Sequence, residues 1–389
     1  MGRRAPAVPP RPIAPGDLVA AFSDALGEWT AAQIIRLDPV NETAGVLELD
    51  WSGPEPGSVA DLGDVSPLRL THHSWNGTLS YHDCPWVLPR SHKVIGALPL
   101  LHDRPSNAYG AWRLGDQLAR QRRWDGGVRQ DPAEPWRAEY TGAEIDRLLA
   151  EPAAPRPDIR ELHVRGVTSL DCGRLVERFP HLTDLHLHGD LGLLTAAERL
   201  NELTSLRSLH IVDLFGMSGD DRLLPHRVPA LETLCLSGVP AEYATAMRSA
   251  WRPEIPNGTY VEIRRARTPE WVAENRDNPL RDWDGRANIS RAAYGKAVAQ
   301  YKATRRAVMA VLSDDPADDR VARLAEIGRE YGEAFNRLDR RTGFIETVER
   351  EELFDALDHI VQEAEDALGL DLTWARDSLA SGADSVRDW

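Results

Sequence analysis

The sequence predicts a multidomain α/β chain: a small N-terminal β domain, a central array of stacked strand-and-return units, and a C-terminal antiparallel bundle of helices. Three observations predict it. Residues 16–101 hold short strand-like runs separated by turn residues. From Ile159 to Ile263 a short pattern recurs, Leu-x-x-Leu-x-Leu with aliphatic substitutions. After Pro269, long segments carry apolar residues at helical spacing. The implied divisions are a flexible Pro/Ala/Arg tail at 1–15, a β domain at 16–105, a helical linker and cap at 106–157, the repeats at 158–268 and a helical domain at 269–389.

In the β domain, Asp17 to Phe22, Trp29 to Leu37 and Ala44 to Trp51 read as strands, connected by Ala25-Leu26-Gly27 and by Asp38 to Glu42; Pro67 to Thr71 would be a further strand. The succession of these strands and polar turns, closing on Asp50-Trp51-Ser52-Gly53, resembles the small bent barrel of the Tudor and SH3-like families over about the first seventy residues. In Tudor domains an aromatic cage holds a methylated lysine or arginine, because ring faces attract a diffuse cation. The resemblance places Phe22 and Trp51 at cage positions, whereas Thr30 and Glu48 stand where the other rings would be. The cage is therefore half built, and packing of Phe22, Trp29 and Trp51 within the barrel is the expectation weighed above it. His72, His73, His82, Asp83, Cys84 and His92 have zinc-binding atoms but match no finger or ribbon spacing, so they read as surface histidines beside Trp75 and Trp86.

Between barrel and repeats, Trp112 to Arg123 has near-helical spacing and is locally basic through Arg113, Arg120, Arg122 and Arg123. Thr141 followed by Glu144 reads as a capping box for a helix through Leu149, expected to cover the open edge of the first repeat.

The repeats begin at Ile159, Leu182, Leu206 and Leu231, with a degenerate copy at Gly258-Val261-Ile263, about two dozen residues apart. Within each copy the last two aliphatics share one face of a strand, and the residue between them takes the other. Helical or turn-like returns follow, and neither part closes a core without a neighbour. This region resembles the leucine-rich repeats. It departs from them at the turn, where Val167, Asp190, Leu214 and Val239 replace the usual asparagine, so an irregular array is expected.

Stacked strands align the intervening residues into one column: His163, His186, His210, Cys235 and Glu262. Flanking columns are Glu161, Asp184, Ser208, Thr233, Tyr260 and Arg165, His188, Val212, Ser237, Arg264. The resemblance implies that this side is a concave binding wall. Its polar and aromatic character suits a reversible protein interface, with Tyr260, Arg264 and Arg165 as anchors and His163, His186, His188, His210 and Glu262 around them. The same histidine column supports a second possibility, a metal-dependent enzyme using His163, His186 and His210. It is disfavoured because the spacing sets no carboxylate base beside the column.

In the last third, Ser290 reads as the N-cap of a helix to Leu312; Asp318 to Arg341 and Glu346 to Leu368 are two more, the last ended by Gly369. The run Glu349, Glu351, Glu352, Asp355 and Asp358 reads as a solvated face.

The chain has 389 residues and a net charge of −15, which opposes binding by phosphate neutralisation and makes nucleic acid an unfavoured partner. Cys84, Cys172 and Cys235 form no framework, and no membrane segment, signal peptide, nucleotide loop or nucleophile elbow is present; a cytoplasmic protein without cofactor is expected. Very few lysines among many arginines suggest a high-GC bacterial source. The function implied is a non-catalytic interaction or adaptor protein binding a protein partner through the repeats. The alternatives are a Tudor-like reader of a modified peptide or nucleic acid, and the histidine-column enzyme.

Overall fold

A computed structural model describes residues 12–106, 108–131, 133–314 and 319–389. Residues 1–11 of the expected tail, Asp315 and Pro316 before the second expected helix of the last third, and Asp318 at its expected start lie outside these. The chain forms two compact units, one ending at Arg267 and one running from Thr268 to Trp389. The first holds an antiparallel and a parallel sheet; the second is helical.

The antiparallel sheet contains β1 (Asp17–Ser23), β2 (Glu28–Asp38) and β3 (Thr43–Gly53), beside a short pair, β4 (Arg69–Leu70) with β5 (Thr78–Leu79). Then come β6 (Tyr81–Pro85) and β7 (Lys93–Ala97), giving the sheet order β6-β3-β2-β1-β7. Alternate residues feed two cores. Val19, Ala21, Ala32, Ile34 and Val46 meet Cys84, Leu88 and Leu114, while Leu18, Ala20, Ala31 and Leu49 meet Leu62 and Ile95. Because both faces are covered, these strands are buried on both sides instead of alternating, with Thr30, Gln33 and Glu48 as buried polar residues among the apolar ones.

The three aromatics expected to pack this domain do so incompletely. Phe22 is 50% exposed, and Trp29 and Trp51 lie half-buried at the margin of the second core. Phe22 sits at the end of β1, beyond Leu18 and Ala20, and its ring meets the edge of Trp29 at 6.4 Å.

Helix α1 (Asp116–Asp125) begins later than the Trp112 spacing suggests, because Gly115 at φ 91° turns the chain and donates its N–H to the buried Glu48 carboxylate at 2.9 Å. Six parallel strands follow in chain order: β8 (Arg137–Thr141), β9 (Glu161–Asp171), β10 (Asp184–Thr195), β11 (Ser208–Phe215), β12 (Thr233–Ser237) and β13 (Tyr260–Arg264). The returns include α2 (Gly142–Ala150), α3 (Cys172–Arg178) and α4 (Ala241–Trp251).

The capping box forms as expected, with the Thr141 side chain accepting from Glu144 N and the Glu144 carboxylate from Thr141 N. The edge of β9 is nevertheless taken by strand β8 and not by the helix. Arg137 to Thr141 pair with Glu161 to Arg165, and that ladder satisfies edge groups that a helix would leave open.

The buried face of the sheet aligns Leu162, Leu185, Leu209, Leu234 and Val261 in one row and Val164, Leu187, Ile211, Leu236 and Ile263 in the next. At the turn positions lacking asparagine, Val167, Leu214 and Val239 are fully buried, so apolar packing replaces side-chain capping there. Gly258 explains the degenerate fifth copy. It has φ 95°, and a Cβ there would lie 2.6 Å from the Arg90 backbone nitrogen. A leucine would block the docking of that N-terminal loop.

The second unit contains α5 (Pro269–Asn275), α6 (Arg291–Asp314), α7 (Arg320–Asp339), α8 (Thr347–Leu368) and α9 (Thr373–Asp384). The three long helices match the periodicity, and Ser290 Oγ accepts from Ala293 N at 3.1 Å. Helices α5 and α9 are additional. Helix α9 crosses α7 where Gly328 and Gly332 face Leu379 and Ala383, and where a Cβ on Gly382 would lie 2.1 Å from Ala325 O. Backbone contact of this kind leaves no apolar periodicity to read.

The acidic run on α8 is not a uniformly solvated face. Glu349 is buried and Glu352 partly so, because Arg286 spans both: Nη1 lies 2.9 Å from Glu349 Oε1, and Nη2 lies 2.7 Å from Glu352 Oε1. Trp283 Nε1 also donates to Glu352, at 2.8 Å. No helix among the described residues is long and apolar enough to cross a membrane.

Candidate functional site

The polar face of the parallel sheet turns toward the N-terminal layer, and the two enclose a half-open cleft of about 1900 Å³. The layer is fixed by contacts distant in sequence. Arg90 reaches Pro229 O at 2.5 Å and pairs with Glu254 at 3.3 Å, Ser91 N donates to Glu232 at 2.6 Å, and Arg113 lies 3.7 Å from Glu161 and 3.6 Å from Asp184. Tyr109, Trp112 and Trp136 contribute to the same walls. None of these was singled out as a site residue from sequence; the signals were the local basic run beginning at Arg113 and the flanking column that holds Glu161 and Asp184.

Across the floor the register aligns His163, His186, His210, Cys235 and Glu262 residue for residue, with Glu161 to Tyr260 on one flank and Arg165 to Arg264 on the other. The imidazoles of His163, His186 and His210 stack face to face, with centroids 4.2 Å apart and planes within 6° and 11° of parallel. This follows from parallel pairing, which repeats one rotamer at the strand spacing.

A carboxylate does lie beside the column, contrary to the sequence expectation. Glu161, 3% exposed, accepts from His163 Nε2 at 2.7 Å and also faces Arg113 and Arg137. Glu161 stands two residues before His163, so strand alternation sets both on one face and brings the flanking carboxylate to the ring.

Burial, then the neighbouring imidazoles and the Arg113 cation, hold His186 down to about 3, and burial with His188, His163 and Arg113 holds His210 down to about 4. Burial and Arg165 lower His188 as well. These rings are neutral at physiological pH.

The stacking geometry bears on metal binding. An imidazole lone pair lies in the ring plane, so parallel stacked rings direct their lone pairs side by side and not at one point. A zinc site needs donors converging from different directions at about 2 Å. Among the described residues no group of three or more His, Cys, Asp or Glu is arranged to hold a metal ion. The N-terminal histidines are likewise scattered. His72 Nδ1 meets His73 Nδ1 at 3.0 Å, its Nε2 meets Gln117 at 3.0 Å, and His82 bonds Ala111 O. His72 and His92 are buried, not surface residues.

Of the expected anchors, Tyr260 is half-buried in the cleft wall, with burial and the Glu262 carboxylate raising its hydroxyl. Arg264 is exposed and forms an ion pair with Glu262 on its own strand. Arg165 and His188 are exposed on the outer flank. Cys235 remains a thiol, pushed up to about 12 by burial and Glu262.

Of the two cage positions, Phe22 is exposed and meets the edge of Trp29, and Trp51 is half-buried; the Trp29 ring carries the ammonium of Lys93, 4.7 Å from its centroid. Glu48, where an aromatic would stand, is buried and raised to about 7 by burial, while accepting from Ser80 Oγ at 2.7 Å and from Gly115 N. No protein-family model, curated protein or solved structure matches the chain.

Proposed function

We propose that the chain is a non-catalytic interaction protein of the leucine-rich-repeat type, binding an extended segment of a protein partner across the strand face of its repeats. The observation that carries this reading is the cleft. At about 1900 Å³ it exceeds the roughly 300–1000 Å³ of small-molecule pockets, and its floor is a ladder of neutral histidines and hydroxyls between aromatic walls. Side chains that donate and accept along a line, without a converging catalytic set, suit a peptide chain with regularly spaced polar groups. In this reading the antiparallel sheet is an SH3/Tudor-like barrel that serves as the opposite wall, not as a separate reader, since buried Thr30 and Glu48 stand where two of the cage rings would be. The free thiols of Cys84, Cys172 and Cys235 suit a reducing cytoplasm.

Replacing Tyr260 and Arg264 by alanine tests the proposal. The double variant should retain its melting temperature, because neither residue is in the core, and should lose on the order of tenfold or more in affinity for the native partner. One interface anchor is worth about 2 kcal/mol. Unchanged affinity measured by surface plasmon resonance on the purified pair would remove the strand face from the interface.

A further inference from the structure

We infer that the segment taken by the cleft is acidic, recognised by Arg160 and Arg207. This rests on the cleft being the binding site and adds the chemistry of its occupant. Both arginines line the cleft, are exposed, and occupy the residue immediately before a strand of the parallel sheet. They differ from their neighbours in the same wall. Arg113 is committed to Glu161 and Asp184, Arg137 to Glu134, Glu139 and Glu161, and Arg264 to Glu262. Among the described residues no carboxylate lies within ion-pairing distance of Arg160 or Arg207. In a chain of net charge −15 the cleft lining carries as many arginines as carboxylates, and Arg160 and Arg207 are two of those arginines that hold no ion-paired carboxylate.

Their placement sets a spacing. Glu161, Asp184 and Ser208 are paired in register, so Arg160 and Arg207 stand two strands apart, about 9 to 10 Å at the backbone. Thr183 lies between them in the cleft wall, its backbone N–H bonded to Arg160 O and its own carbonyl accepting from Arg207 N. An extended polyproline-type peptide repeats its side-chain direction every third residue, about 9.3 Å. Carboxylates three residues apart would therefore meet the two guanidinium groups, each as a charge-assisted hydrogen bond of the strong kind. Nucleic acid fits less well: its unbroken run of phosphates would cross the wall carboxylates of Glu232, Glu134 and Asp158, which two carboxylates set at the Arg160–Arg207 spacing need not meet.

The test uses the full chain and fluorescence anisotropy with four labelled probes: a short proline-rich peptide carrying Glu-x-x-Glu, its Gln-x-x-Gln and Lys-x-x-Lys counterparts, and a single-stranded RNA of similar length. The Glu peptide should bind at least tenfold tighter than the Gln and Lys peptides and the RNA. Arg160→Glu and Arg207→Glu, both exposed and checked for unchanged melting, should each weaken it by tenfold or more. Preference for the Gln or Lys peptide, lost when Ser208→Trp fills the cleft, would overturn the acidic inference and leave the cleft reading standing. Binding of RNA through the same arginines would overturn both. If no peptide binds at all, the acidic inference fails, and the cleft reading is then decided by the Tyr260 and Arg264 variants.

Discussion

Acidification from pH 6.5 to 4 should destabilise the protein by about 3 kcal/mol through His186 and His210, and replacing both by glutamine should remove that loss. The unfolded rings titrate near 6.5, whereas the folded ones stay neutral down to about 4 and 3. A depressed histidine leaves stability unchanged above 6.5. As pH falls below that value the unfolded chain takes up protons that the folded chain refuses, and stability declines until the folded pKa is passed. At 1.36 kcal/mol per unit for each ring, the unscreened loss by pH 4 is about 6 kcal/mol; partial solvent contact of both rings halves it. The groups facing them, the Arg113 cation and the His163 and His188 imidazoles, act in the same direction. Glu48 acts oppositely. Raised to about 7, it contributes stability that is full below about 4.5 and is lost as pH rises through 7. Its term is common to both proteins and cancels in the difference. Urea unfolding at pH 7 and pH 4 measures the effect; equal acid sensitivity in the double variant would show that the rings are not desolvated as a stack.

Arg286→Met should destabilise the helical unit by about 3 to 5 kcal/mol, the usual cost of stranding a buried charge. Burial pushes the Glu349 carboxyl up, but bonds from Asn288 and Arg286 outweigh it and leave it below its ordinary value. Removing the guanidinium strips Glu349 of one donor and Glu352 of two. Adding Glu349→Gln should restore part of the loss, since a neutral amide needs no counter-charge while Asn288 still donates to it. The far-ultraviolet unfolding transition reads both variants. A loss under about 1 kcal/mol in the single variant would place the pair with ordinary surface ion pairs.

The two predictions also mark where the sequence was legible. The His163-His186-His210 alignment could be read because each copy sets the same residue between two aliphatics, and parallel pairing preserves that offset across strands. Helices α6, α7 and α8 were legible for the same reason, a period that survives in the residues themselves. Arg113 over Glu161, Arg90 at Glu254 and Arg286 between Glu349 and Glu352 were not, because each pairs residues dozens of positions or more apart with no periodic signal. The α7–α9 crossing at Gly328 and Gly382 hides as ordinary glycines, and the exposure of Phe22 depends on which elements cover β1. Strand faces are local properties, whereas what stands opposite them is not.

Site-specific photocrosslinking most directly tests whether the strand face is the binding surface. A photoreactive amino acid is placed at Thr233, which lines the cleft on β12, or at Arg174, exposed on α3 behind the sheet, and the full chain is irradiated in its native host. The account predicts a discrete covalent adduct from position 233, lost with Tyr260→Ala and Arg264→Ala, and none from position 174. The same adduct from position 174 alone, or in equal yield from both positions, would contradict it.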